Sequence, residues 1–171
     1  MLIIAALALF AILLLIAAAN DIATMTIPNW VSIVMASTFP VFALAAGHTL
    51  AFIGFHLAVG FVVLLLGIGL FSLNLLGGGD VKVIAAAAVW TGLSGFAPFL
   101  TTMLLVGGAL AAGLVAVRQF VQPHEGRPAF LNRLLDRKRG APYAVAIAAG
   151  GLVALPSLPL GGHLLGPLTP L

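Results

Sequence analysis

Residues 80–118, DVKVIAAAAVWTGLSGFAPFLTTMLLVGGALAAGLVAVR, decide how this chain folds. As one helix the stretch would measure about 58 Å at 1.5 Å per residue, roughly double the hydrocarbon thickness of a bilayer. Turn-forming residues cluster in its middle, at Gly92, Ser94, Gly95 and Pro98. The stretch therefore predicts two membrane spans, joined by a turn at Thr91–Pro98.

The composition indicates that lipid surrounds most of the chain. Of 171 residues, 63% are hydrophobic and 6% are charged, whereas about 25% of the residues of a soluble domain are charged. The apolar stretches are continuous instead of alternating, which favours helices over barrel strands. Cysteine is absent, so disulfides and thiolate metal sites are excluded. We predict an all-α polytopic membrane protein.

Four further apolar stretches bring the expected number of membrane-spanning helices to about six, in a single domain over residues 1–171. They are Leu2–Ala19, Trp30–Ala46, Ala51–Leu73 and Ala141–Leu160. No Lys or Arg precedes the first stretch, so we expect a span there and not a cleaved signal peptide.

Six spans place the loops at about residues 20–29, 74–82 and 118–140 on one face of the membrane. The seven basic residues of the chain all lie in these loops: Lys82, Arg118, Arg127, Arg133, Arg137, Lys138 and Arg139. Cytoplasmic loops are enriched in such residues. We therefore expect this face to be cytoplasmic and both termini to be extracytoplasmic. The small net charge of +3 is localised in this way and does not indicate a nucleic acid partner.

Apolar and basic residues are interleaved over residues 129–139 of the third loop. This pattern suits an interfacial helix on anionic lipid. A plain solvated loop fits it equally, and both interpretations stay open.

Two of the four acidic residues stand out by position. Glu125 and Asp136 lie among the arginines of the third loop and are interpreted as solvated charges. Asp21 and Asp80 each adjoin a long apolar helix at the same predicted face, where an ionisable group is costly and indicates function. Two facing carboxylates that share a proton suit peptide hydrolysis. The structural alternative is that both merely mark the membrane boundary.

The glycine run before Asp80 supports the catalytic interpretation. Gly77, Gly78 and Gly79 have no side chains that would keep a substrate backbone away from Asp80. A flexible loop is the alternative. No histidine has the spacing of a metal site, so we predict no metal.

Two segments resemble the motifs of the type IV prepilin peptidases, and the resemblance extends over the whole six-helix plan. The first is DIATMTIPN, from Asp21 to Asn29, and the second is GGGDVK, from Gly77 to Lys82. The second contains the GxGD pattern of membrane aspartyl proteases. The small size is similar to the branch that serves Tad or Flp pili.

The resemblance implies an aspartic-type endopeptidase of the bacterial inner membrane, with Asp21 and Asp80 catalytic. From the residues of this sequence we predict no cofactor. It would cut the short, basic leader from a prepilin at the cytoplasmic face, just before the hydrophobic helix of the pilin, in type IV pilus protein secretion. Ile27, Pro28 and Asn29 would shape the start of span two, with Pro28 suited to a first helical turn. Lys82 would contact a substrate carboxylate or Asp80, or simply extend to the membrane surface.

The chain departs from the family in three respects. It has no basic residues between Asp21 and Ile27, it lacks the cysteine-containing zinc insertion of larger members, and it shows no site for S-adenosylmethionine. Methylation is therefore not assigned. Two other functions remain open: an archaeal preflagellin-type peptidase, and a non-enzymatic small transporter or assembly factor.

Overall fold

In a computed structural model the chain is all-helical over the residues that the structure describes, 1–137 and 139–160. The helices are α1 (Leu2–Thr24), α2 (Asn29–Ala45), α3 (Leu50–Ser72), α4 (Gly78–Phe120), α5 (Ala129–Leu135) and α6 (Ala144–Ala154), followed by a 3-10 turn at Leu155–Ser157. The predicted all-α class is confirmed. Lys138, His163, Pro167 and Pro170 lie outside the described residues.

Three of these helices, α1, α3 and α4, are long and apolar enough to cross a membrane, and α2 and α6 are shorter apolar helices. Much of their large apolar surface faces outward, for example Leu66 and Leu105. Outward apolar side chains suit lipid as the surrounding solvent. The chain is an integral membrane protein. The side of the membrane on which each terminus lies stays a prediction.

Helix α4 is broken at Gly92, which divides it into a first arm (78–91) and a second arm (93–120). Gly92 has φ 56° and ψ −162°, a region of backbone conformation that essentially only glycine adopts. The chain therefore reverses within the predicted turn at Thr91–Pro98, but the turn is shorter than predicted, because only Gly92 departs from helical geometry. Pro98 lies inside the second arm.

The two arms run antiparallel. Val81 and Met103, which are equally far from Gly92 along the chain, line the same cavity, and so do Ile84 and Leu100. This pairing is what a reversal centred on Gly92 requires. The long apolar stretch is therefore folded back once, as its length predicts.

His56 of α3 packs against the break. Its Nδ1 lies 2.7 Å from the Val89 carbonyl oxygen, and since a carbonyl only accepts, Nδ1 carries the proton. Val89 belongs to the last turn of the first arm, where helix carbonyls lose their regular partners. A Cβ on Gly92 would lie 2.5 Å from His56 Cε1. The sequence assigned His56 no role, and the structure places it at the reversal.

The first arm of α4 is the centre of the fold. All residues from 83 to 92 are buried. Trp90 is fully buried and stacks on Phe10 of α1, with 5.1 Å between the ring centroids. Its ring also makes an edge contact with Phe39 of α2 at 5.7 Å. The indole N–H donates to the Met35 carbonyl at 2.7 Å. The arm, which has Asp80 in its first turn, is thereby fixed against α1 and α2.

Helix α1 is longer than predicted. Asn20 donates through Nδ2 to the Ile16 carbonyl at 2.9 Å, and Thr24 donates through Oγ1 to the Asn20 carbonyl at 2.8 Å. Both residues lie within the helix, which continues to Thr24. The expected loop at residues 20–29 shrinks accordingly, and Asp21 lies in the last helical turn.

The predicted loop at residues 74–82 is also too long, since α4 already begins at Gly78. The last span is wrong at both ends, because α6 covers only Ala144–Ala154 of the predicted Ala141–Leu160. Pro142 precedes the helix and Pro156 follows it. Proline lacks the N–H donor that a helix interior needs, so the α-helix stops before Pro156.

The third loop, predicted at residues 118–140, is folded. Helix α4 continues to Phe120 and α5 forms within the loop. Buried Arg118 donates to the carbonyls of Leu134, Arg139 and Gly140 at 2.7–2.9 Å. A plain solvated loop is therefore wrong, because its backbone is bound to a buried guanidinium. Its contact with anionic lipid stays a prediction.

Replacement of Gly92 by alanine tests the reversal. We expect Gly92→Ala to destabilise the protein by about 2–4 kcal/mol, since backbone strain of order 1–3 kcal/mol adds to the clash with His56. Thermal unfolding in detergent measures the loss. Gly108→Ala is the control, because a Cβ there meets nothing within 4 Å and alanine favours a helix interior. Equal stability of the two variants would contradict a strained break at Gly92.

Candidate active site

Asp21 and Asp80 reach one pocket from different helices. The pocket has a volume of about 310 Å³ and lies between the end of α1, the start of α2 and the start of α4. Its lining consists of Asp21, Met25, Thr26, Ile27, Asn29, Gly77, Gly78, Gly79 and Asp80. Most of the predicted site residues thus come together; Pro28 and Lys82 are placed beside this lining and not in it.

Asp21 is held by the first helical residue of α6. The side chain is only 7% exposed, and its Oδ2 accepts the Ala144 N–H at 3.0 Å. The first N–H groups of a helix have no partner within the helix, and they form its positive end. A carboxylate is therefore a favourable partner for them. No sequence motif predicts this contact, so the sequence did not indicate that Ala144 belongs to the site.

The chain turns sharply after Asp21. Met25 adopts a left-handed conformation with φ 57° and ψ 30°, and its N–H donates to the Asp21 carbonyl at 2.8 Å. This cap directs the chain from α1 into Ile27, Pro28 and Asn29. Pro28 precedes the first residue of α2 with φ −62°, so the expectation that it lies in the first helical turn is wrong by one position.

Asp80 lies in the first turn of α4 and bonds back to the start of its own helix. Its carboxylate accepts the backbone N–H of Gly77, which is half of a capping box. A Cβ on Gly77 would lie 2.7 Å from Asp80 Oδ2. Gly77 has φ −71°, a backbone conformation open to any residue. Glycine is needed here because a side chain would clash with Asp80, and not because the backbone is left-handed.

Lys82 connects the two motifs. Its Nζ donates to Oδ1 of Asn29 at 2.9 Å, and the side chain is exposed. Lys82 therefore ties the start of α2 to the first turns of α4. The expected contact of Lys82 with a substrate stays a prediction.

Arg133 of α5 reaches the other side of the site. Its guanidinium donates to the carbonyl of Ala23, two residues after Asp21. Among the described residues, the ion pair between Arg139 and Asp136 of the third loop involves neither Asp21 nor Asp80. The nearby cations thus bind carbonyl groups, and the two carboxylates are held by peptide N–H groups.

The chemistry of this pocket is that of paired carboxylates. In the part of the chain that the structure describes, no three His, Asp or Glu residues are grouped as metal ligands would be. No donor from residues 1–137 or 139–160 is found at Oδ1 of Asp21. That oxygen can accept from a water molecule, or, when it is protonated, donate to a carbonyl oxygen.

Comparison with known proteins gives one match. The sequence model of the type IV leader peptidase family matches residues 8–117. The match contains Asp21, Asp80 and the glycine run, and it ends before α5 and α6. No curated protein and no solved structure matches the chain. The contact of Ala144 with Asp21 therefore involves a residue outside the matched segment.

The capping contact predicts that two substitutions of Asp21 differ in stability. We expect Asp21→Ala to lower the free energy of unfolding by about 0.5–2 kcal/mol, the usual cost of losing a helix cap. Asp21→Asn keeps an acceptor oxygen and should lose much less. Thermal unfolding in detergent compares the two, with Glu125→Ala in the exposed third loop as control. Equal loss for alanine and asparagine would rule out the cap.

Proposed function

Because the chain belongs to the type IV leader peptidase family, we propose that it is an aspartic endopeptidase that removes the leader of a prepilin, with Asp21 and Asp80 as the catalytic pair. One observation carries the proposal. The two carboxylates, which lie far apart in sequence, line a single pocket. They are also the only acidic residues outside the third loop.

The reaction needs one ionised and one protonated carboxyl group. The ionised carboxylate takes a proton from a water molecule, whose oxygen forms a bond to the scissile carbonyl carbon. The protonated partner donates a hydrogen bond to the carbonyl oxygen and stabilises the negative charge that develops there. The tetrahedral intermediate then collapses: the C–N bond breaks, and the leaving nitrogen receives the proton that was taken from water.

Two backbone donors would fix the geometry of this pair. The N–H of Ala144 holds Oδ2 of Asp21, and the N–H of Gly77 holds the Asp80 carboxylate. Each donor belongs to a helix start and cannot leave without unwinding that start. The carboxylates are thus oriented before the substrate binds, which lowers the cost of reaching the reactive geometry.

The pocket wall would admit an extended peptide. Gly77, Gly78 and Gly79 line the pocket beside Asp80, with Phe71 packed against Gly78 and Ile27 against Gly79. The glycines add no side chains of their own to this wall, so a substrate backbone would meet Ile27 and the glycine backbone beside Asp80.

The location of the site supports a cytoplasmic cleavage. The pocket lies at the ends of α1 and α4 that adjoin the basic loops, and such loops favour the cytoplasmic side. A short, basic leader on a Flp or Tad-like prepilin, cut at the cytoplasmic face of a bacterial inner membrane, fits this arrangement. An archaeal preflagellin-type substrate would use the same pair.

Loss of either carboxylate tests the catalytic pair. A prepilin is co-expressed with the chain, and processing is measured as a mobility shift at matched membrane levels. We expect Asp21→Asn and Asp80→Asn each to lower processing by at least about 10³-fold, in the range attributed to an acid or base group. Glu125→Gln, which changes a loop carboxylate in the same way, should process normally.

Full processing by either aspartate variant would remove that residue from the mechanism. Absence of processing by the unaltered chain, with several prepilins, would instead favour the non-enzymatic transporter or assembly factor.

A further inference from the structure

An open groove runs between α2 and α3, over the first arm of α4. Near the turn that connects them, α2 and α3 pack through aromatic rings, with Phe39 stacked on Phe52 at 6.4 Å and on His56 at 4.9 Å. Farther from the turn they are separated by a cavity of about 420 Å³. We call this cavity the α2–α3 groove.

The groove is apolar and its floor is made of small residues. Ala85 and Ala86 of α4 form the floor, Ala36 and Gly60 lie beside it, and larger side chains such as Ile33 and Phe61 form the rim. Small residues allow another helix to approach closely within a membrane. Ile33 and Phe61 are 64% and 60% exposed, so the groove is open toward the surroundings of the protein.

The groove adjoins the aspartate pocket. Asn29 lines both cavities. Lys82 also lines the groove, and its hydrogen bond to Asn29 Oδ1 places its ammonium group at this junction. An occupant of the groove that continued past Asn29 would therefore enter the pocket that contains Asp21 and Asp80.

We propose that the α2–α3 groove binds the first turns of the apolar helix that follows the scissile bond of the substrate. This inference rests on the proposed function, which supplies a substrate with an apolar segment next to the cleavage site. From Asn29 to Ala36 the groove extends about 10 Å along α2, which corresponds to roughly two helical turns of a bound helix.

The charge at the junction sets the direction of the substrate. A basic leader is repelled by the Lys82 ammonium group, so the leader lies beyond Asn29, on the side of the aspartates. The apolar segment, which carries no such charge, lies in the groove. The scissile bond is then placed between the two, at Asp21 and Asp80.

Cysteine cross-linking tests where the apolar segment lies. The chain has no cysteine, so Ile33→Cys introduces a unique thiol on the groove. It is paired with a prepilin that has one cysteine in the first two turns of its apolar segment, in an Asp80→Asn background that prevents cleavage. We expect disulfide formation at least about 10-fold above that of Leu105→Cys, an equally apolar position that is 70% exposed on the second arm of α4.

A groove-filling substitution gives an independent measure. Ala36→Leu places a larger side chain in the groove and should raise the KM for prepilin about 10-fold or more, with kcat little changed. Ala45→Leu makes the same change at an exposed position on the same helix, outside the groove, and should leave both constants unaltered. Equal KM values for the two variants would overturn the proposed site.

The same prepilin is incubated in parallel with the chain that has both aspartates. Cleavage without preferential cross-linking at position 33 would overturn the proposal that the groove binds the substrate and would indicate that lipid fills it. The proposed function would still stand. Absence of cleavage would overturn the proposed function and the groove with it.

Discussion

The reversal at Gly92 is the constraint on which the rest of the structure depends. It allows one apolar stretch to pack as two antiparallel arms, with His56 bound to the Val89 carbonyl beside the break. The second arm returns the chain to the end of the fold where Asp21 and Asp80 lie. Helix α6 can therefore begin next to α1, and its first N–H reaches Asp21. A continuous α4 would carry α6 away from this end, and the Asp21 carboxylate would lose its donor.

In the part of the chain that the structure describes, peptide N–H groups bind the two carboxylates of the site, and no ion pair involves them. Asp21 and Asp80 each accept a backbone N–H, whereas Lys82 and Arg133 donate to oxygens of Asn29 and Ala23. A cation bound to one carboxylate would hold that group ionised and oppose proton transfer between the two. Backbone donors fix the position of a carboxylate with only a partial charge. The pair can then share one proton, as the proposed hydrolysis requires.

The features that could be predicted from the sequence are those that depend on composition and on local motifs. Apolar length gave the spans of α2 and α3 to within one residue, and the positions of Asp21 and Asp80 beside apolar helices predicted that they would meet. The sequence predicted the segment in which the chain reverses. It did not predict that the break lies at Gly92 alone, because that depends on the packing of His56 from another helix. The contact of Ala144 with Asp21 was not predicted, because any helix start offers the same N–H groups. The continuation of α1 past its apolar part to Thr24 was not predicted either.

The placement of the aspartate pocket and the α2–α3 groove follows from what lipid permits. The proposed hydrolysis needs water and free backbone N–H groups that orient the carboxylates, and in a helical membrane protein both occur at helix ends. The pocket accordingly lies where α1 ends and where α2 and α4 begin. The middle of a span offers no free N–H, so it can recognise a partner only by shape, with small residues such as Ala85 and Ala86. In the proposed function, recognition of an apolar helix and cleavage of the bond before it would therefore be separated along the membrane normal, with Asn29 as the residue that lines both cavities.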